Sequence, residues 1–233
     1  MIAAEALREG LARVERVDPG DQATAIWWSV AADAVVLGRG SRISADEAAC
    51  RAAGVAVVRR GSGGGPVLWG PDLLALDLLV PARHELHSAD VAASYRWLGE
   101  ALAVGLRELG VPAIAVPPDV ARRLNDRTAA ERACFAGCSP WEALVGDRKV
   151  VGLSQVRRRG GTLLQAGILL RHEPERLPGL LALDPSARAA AVADLAARAA
   201  GLDTLTRATT AEVVAAVERA LAEVDPDLRV ECP

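Results

Sequence analysis

Ala143-Leu144-Val145-Gly146-Asp147-Arg148-Lys149-Val150-Val151-Gly152-Leu153-Ser154-Gln155-Val156-Arg157-Arg158-Arg159-Gly160-Gly161-Thr162-Leu163-Leu164-Gln165-Ala166-Gly167-Ile168-Leu169-Leu170 is the stretch on which the fold turns. Three strand-like runs, Glu142 to Val145, Lys149 to Arg157 and Thr162 to Leu170, are separated by Gly146-Asp147 and Gly160-Gly161. Apolar, β-branched-rich runs broken by short glycine turns read as successive antiparallel strands.

Upstream, residues 2 to 14 place Leu7, Leu11 and Val14 on one helical face. Ala23 to Val30 and Ala34 to Leu37 read as strands with a turn at Ala32-Asp33. Ser44-Ala45-Asp46-Glu47 has capping-box spacing, with Ser44 at the cap. Gly54 ends that helix, and Val55 to Val58 follows as a short buried strand. Val67 to Trp69 and Leu73 to Val80 are further strands, and Asp90 to Leu109 is a long helix stopped by Gly110. Residues 111–130 carry Pro112, Pro117 and Pro118 and are expected to be irregular, with short strands at most. Beyond Pro174 helices are expected over Glu175 to Leu181, Ser186 to Ala200 and Ala211 to Val224. Strands joined mostly by hairpins, with helices before and after, predict an α+β fold with a mixed, largely antiparallel sheet flanked by helices. The helical tail, 174–233, is expected as a C-terminal subdomain packed on residues 1–173.

Bulk composition narrows the function. A net charge of -3 argues against general nucleic-acid binding, which needs a dominant basic surface. No apolar run approaches the ~20 residues of a membrane span; the longest, Leu73 to Val80, is interrupted by Asp77. Met1 to Glu9 shows no basic segment followed by an apolar core, so no secretory signal is expected. Cys50, Cys134, Cys138 and Cys232 do not make a disulfide framework in 233 residues. A reducing cytoplasm is the simplest setting.

Two clusters carry chemistry. Arg59-Arg60-Gly61-Ser62-Gly63-Gly64-Gly65-Pro66 lies between two expected strands. Consecutive glycines weaken a sheet, but they let a ligand lie against bare backbone whose amides can donate to an anion. Arg59 and Arg60 would add charge for the same anion. A strand follows and no Gly-Lys-Ser/Thr is present, so this is neither a phosphate-binding P-loop nor a dinucleotide fingerprint. The second cluster joins Cys134 to Lys149. Lys149 is the only lysine of the chain, in a sequence that otherwise uses arginine for its cations. It is either a chance survivor or a position that needs a compact ammonium, or an amine able to lose its proton. A lysine beside Cys134 would make its thiolate more available. Cys134 and Cys138 could otherwise be small buried hydrophobes; as half of a metal site they lack a second ligand pair, so no metal is expected.

Taken together, these clusters resemble the lipoate-protein ligase A, octanoyltransferase and biotin-protein ligase superfamily. The lipoyl branch has Arg-Arg-x-Ser/Thr-Gly-Gly-Gly, as in Arg59 to Gly65, and Gly-x-Lys-Lys/Val-x-Gly-x-Ala/Ser-Gln, matched by Asp147 to Gln155. Ala34 to Arg39 looks like the earlier strand and turn that also line its pocket. The resemblance spans about residues 24 to 170 and implies the mixed sheet of that catalytic domain. It implies that Lys149 contacts the acyl carbonyl, and that Arg39, Arg59, Arg60, Ser62, Gly63, Gly64, Gly65, Gly152, Ser154, Gln155 and Gly167 bind substrate. Cys134, upstream of Ser139-Pro140-Trp141-Glu142, is similar to the nucleophile of the octanoyltransferase branch. That branch implies a cysteine thioester, octanoyl acyl carrier protein as donor, a lipoyl-domain protein as acceptor and no cofactor. Lys149 and amides near Gly152 would stabilise the oxyanion. The ligase branch implies free lipoate, ATP and Mg; a non-catalytic acyl-binding homologue is a third reading. Family histidines are replaced by Trp69 and Ala166, and a usual glutamine by Gly40-Ser41.

Overall fold

The computed structural model describes residues 2–125 and 133–232. The chain begins with α1 (Ala3–Arg16), β1 (Thr24–Trp28), β2 (Ala34–Leu37), α2 (Glu47–Ala52), β3 (Ala56–Arg59), β4 (Val67–Trp69) and β5 (Leu73–Pro81). Then come α3 (Arg96–Glu108), β6 (Ile114–Ala115), α4 (Pro118–Asn125), β7 (Ala143–Val145), β8 (Arg148–Arg157) and β9 (Gly161–Leu169). It closes with α5 (Arg176–Gly179), α6 (Pro185–Arg198), α7 (Thr210–Val224) and β10 (Arg229–Glu231). A seven-stranded sheet runs β10-β1-β5-β9-β8-β7-β6, and a three-stranded sheet runs β3-β2-β4. Among the described strands only the pairs β1–β10 and β2–β3 are parallel.

The β7–β8–β9 meander forms where the quoted segment alternates. Gly146 turns it at a φ of 59°, a backbone state that side chains disfavour. On one face of the large sheet Leu76, Leu78, Leu164 and Ile168 meet Leu98, Leu102 and Leu106 of α3 and Val213, Val217 and Leu221 of α7. On the other face Trp28, Leu73 and Ala75 meet Val36 and Trp69 of the small sheet. Val14 of α1 seals one end of that face against Leu79, Val156 and Leu163. The alternation of a strand thus divides β5, β8 and β9 between two cores.

Several elements differ from expectation. Segments β1 and β2 enter different sheets instead of forming a hairpin. Strand β3 is exposed, not buried, because it is the edge of the small sheet. Asp46, not Ser44, caps α2, accepting the amides of Ala48 and Ala49 at 3.1 and 3.0 Å. The helix expected from Asp90 opens as a 3-10 turn, Ala93–Tyr95, before α3. Helix α4 occupies part of the segment expected to be irregular, with Pro118 at its first position, where the missing amide costs nothing. Residues 126–130 of that segment lie outside the described residues.

In the tail, Asp184 caps α6 through the amides of Ser186 and Ala187. Strand β10, not foreseen among its helices, adds to β1. No described helix is long and apolar enough to cross a membrane. Helix α7 crosses α3 at Gly105, where an added Cβ would lie 2.9 Å from Ala216 O and Val217 Cα. Gly105→Leu should therefore force the two helices apart and lower stability by about 1–3 kcal/mol, read as a lower urea midpoint. An unchanged midpoint would show that this crossing is not tightly packed.

Candidate active site

Register across β5, β9 and β8 builds a trench. Ala75 faces Gly167, and Gly167 faces Gly152, so three small residues share one row on one face of the sheet. The next row on that face is polar: Asp77, Gln165 and Ser154. On the other side Leu73 pairs with Leu169. Val36, Val67 and Trp69 of the small sheet roof the row, leaving a space of about 520 Å³ with the open solvent at its mouth included. Two interstrand spacings make the small-residue row about 10 Å long.

The glycine loop closes this space. Arg39 N donates to Ser62 O at 2.8 Å, and Arg60 N to Leu37 O at 3.0 Å. An added Cβ on Gly38 would lie 2.0 Å from Gly64 O, so only glycine there lets the loop fold down. The Arg60 guanidinium is buried and donates to the Gly63 and Gly65 carbonyls at 2.8 and 3.1 Å. It therefore shapes the loop from inside, whereas the sequence suggested charge for an anion. Ser62 Oγ donates to Gln165 Oε1 at 3.0 Å, tying the loop to the polar row.

Cys134 and Phe135 line the trench, whereas Lys149, bonded to the Cys134 carbonyl, lines neither the trench nor the recess beside it. A 3-10 turn, Cys134–Ala136, presents the half-buried Cys134, whose amide donates to Pro66 O at 2.8 Å. This joins the cysteine segment to the end of the glycine loop. Phe135 packs over Gly152, where an added Cβ would lie 3.4 Å from its ring. Lys149 is 2% exposed; Nζ donates to Glu142 Oε2 at 2.9 Å and to the Cys134 carbonyl, and lies 5.1 Å from the Phe135 ring centre. Glu142 is also buried and accepts the Ser139 and Leu153 amides at 2.6 and 3.0 Å. Burial works to lower the Lys149 pKa, but the charge and hydrogen bond of Glu142, with the fields of Cys134 and Cys138, outweigh it and raise the value. The side chain is thus an ammonium. An ammonium has three N–H donors, and among the described residues two of them are taken, by Glu142 and the Cys134 carbonyl. Burial, reinforced by Glu142, pushes the Cys138 thiol up to about 12, which makes it inert.

Cys134, Arg60, Gly152, Ser154 and Gly167 all line the trench. Cys134, Arg60, Gly64 and Gly65 also line a side recess of about 500 Å³ with Asn125 and Glu142, so Cys134 stands where the two spaces meet. Gln155 does not face the trench: alternation turns it away, and its amide donates to Val91 O at 2.9 Å and Ser94 Oγ at 3.1 Å. Arg39 and Arg59 are exposed, and Arg59 reaches Gly38 O at 3.4 Å. Ala166 pairs with Leu76 and Leu153, packs in the helix-side core and also lines the trench, and Trp69 is a roof residue. The Leu153 amide, near Gly152, is already bonded to Glu142 and is not free for an oxyanion. Sequence reasoning missed Glu142 and Asp77. A buried lone lysine was the signal for the first, because such a charge requires a partner.

Asp77 is 3% exposed and accepts the Gln165 amide at 3.0 Å. Burial pushes its pKa up to about 6 from 3.8, against the lowering pull of Gln165, Trp28 and Arg13. The folded state therefore holds this proton more tightly than the unfolded chain. Its stabilising effect is full below about pH 4 and is lost as the pH rises through about 6. Asp77→Asn should raise stability by about 2–3 kcal/mol at pH 8, with the gain fading toward pH 4. Melting curves across that range check it; a gain independent of pH would show that Asp77 is ionised throughout.

Residues 4–222 match the Lipoyl protein ligase A/B catalytic domain family. An octanoyltransferase LipM of Exiguobacterium sp. is 34% identical over 194 residues, 82% of this chain and 70% of that enzyme. The LipM of Symbiobacterium thermophilum is 38% identical over 122 residues, 52% of this chain and 43% of its own length. A bi-partite lipoate protein ligase from Thermoplasma acidophilum superposes with a TM-score of 0.77 at 20% identity, over 98% of this chain and 81% of that one. Lipoate-protein ligase A bound with ATP gives 0.75 at 21% identity, over 97% and 83%. At these identities the two structures speak to the fold alone. The sequence match runs nearly end to end and the architecture agrees with it: the chain belongs to the lipoyl protein ligase A/B catalytic domain family.

Proposed function

We propose that the chain is an octanoyltransferase that works through a thioester on Cys134. The observation that carries this is the position of Cys134, at the junction of an apolar trench and a side recess, with its carbonyl bonded to a buried ammonium. An eight-carbon chain is about 8 Å long at the advance per bond of an extended backbone, which suits the small-residue row. Each methylene buried there stabilises the complex by about 0.8 kcal/mol.

In the first half-reaction the Cys134 thiolate attacks the carbonyl of an octanoyl thioester on a carrier protein. A carbon–sulfur bond to Cys134 forms, the bond to the carrier sulfur breaks, and the carrier thiol leaves with the proton that Cys134 gave up. The remaining Lys149 N–H is the donor for the oxyanion, held in place by Glu142. In the second, the ε-amine of a lipoyl-domain lysine attacks the same carbonyl from the side recess. A carbon–nitrogen bond forms, the carbon–sulfur bond to Cys134 breaks, and the proton lost by the amine passes to the departing thiolate, restoring the Cys134 thiol. Splitting the transfer this way replaces one difficult step by two easier ones. Neither step calls for a nucleotide or a metal. A thiol nucleophile suits a reducing compartment, and we assign the protein to the cytoplasm.

The test is intact mass after mixing with an octanoyl-carrier thioester. The expected result is one octanoyl adduct, absent in Cys134→Ala, and chased onto a lipoyl domain when that acceptor is added. An adduct that persists in Cys134→Ala, or acceptor modification that requires free octanoate and ATP, would overturn the thioester reading.

A further inference from the structure

Beyond the trench lies a second space of about 540 Å³, open solvent at its mouth included. It shares with the trench Val67, Leu73 and Phe135, which form a partition of side chains between the two. Its inner surface is apolar, with Leu169, Leu177 and Leu195, all buried. Its rim is charged: Arg176 is paired with Asp33 and Asp72, the latter at 2.9 Å, and stands 3.6 Å from Glu173, and Arg171 lines the same space. His172 is likewise held, with Nε2 3.1 Å from Leu195 O. Inside that rim lies hydrocarbon surface, three of whose residues also line the trench.

We propose that Leu73, with Val67 and Phe135, is a chain-length gate, and that the second space receives the distal methylenes of acyl chains longer than eight carbons. This rests on the octanoyltransferase reading above. Side chains exchange between staggered rotamers at modest cost. Leu73 is the movable member. It leans over Gly167, where an added Cβ would lie 3.3 and 3.4 Å from its two methyl carbons, and no side chain there pins it. Phe135 is fixed by contrast between Gly152 and the Lys149 ammonium. A chain that fits the row leaves the gate closed, and a longer one must push Leu73 aside.

The experiment compares adduct formation from eight-carbon and twelve-carbon carrier thioesters. Leu73→Ala should shift the ratio toward the twelve-carbon donor on the order of tenfold, the effect of about two more buried methylenes. Adding Leu177→Phe, which narrows the apolar part of the second space, should reduce that gain. Leu73→Val gives a smaller shift in the same direction and serves if Leu73→Ala does not fold. An unchanged ratio in a folded variant that still accepts octanoyl overturns the gate. A gain that Leu177→Phe leaves undiminished overturns the second space as its destination. Failure of the unsubstituted chain to form any octanoyl adduct would instead refute the reading on which the gate rests.

Discussion

A single ammonium, removed from water and held between a carboxylate and a carbonyl, links the parts of this molecule that matter for its chemistry. Lys149 comes from β8, Glu142 from the segment leading into β7, and the carbonyl from Cys134. Burying one charge alone is prohibitive, and a buried pair is tolerable only when its remaining donors and acceptors are satisfied. Here Glu142 also takes the Ser139 and Leu153 amides, so the pair fixes the loop that carries Cys134 as well as the strand beneath it. The arrangement keeps the amine protonated and, at the same time, sets where the thiol stands.

The trench follows from a different constraint. Successive residues of a strand face opposite ways, so β5, β8 and β9 each serve two cores. The helix-side faces are filled by leucine, isoleucine and valine. The opposite faces carry Ala75, Gly167 and Gly152 in register, and the absent side chains are the binding space. Glycine is therefore used twice: in the floor for room, and at Gly38 and Gly64 so that the loop can close over that floor. The polar row of Asp77, Gln165 and Ser154 bounds the apolar space and anchors the loop through Ser62.

The β7–β9 meander was legible because its alternation and glycine turns are local signals. The glycine loop and the Cys134–Lys149 cluster were legible for the same reason: each is a short run of unusual residues. The assignment of β1 and β2 to separate sheets was not, since strand partners are chosen by distant segments. Helix α4 was hidden by reading Pro117-Pro118 as a breaker, although proline at a first helical position starts a helix. Strand β10 is three residues long and depends on β1 for its existence. Arg60 was assigned to an anion because guanidinium groups bind anions, yet the loop's own carbonyls were closer partners. The direction of Gln155 could have been found by counting: it is three residues from Gly152, and odd steps change face.

Because Lys149 is the only lysine, ¹⁵N-lysine labelling gives a single side-chain resonance and reads this site without mutation. The account predicts an ammonium signal that persists above the pH at which a free lysine, near 10.5, loses its proton, and that shifts when Cys134 is acylated. A resonance that titrates below that value, or one indifferent to acylation of Cys134, would contradict it.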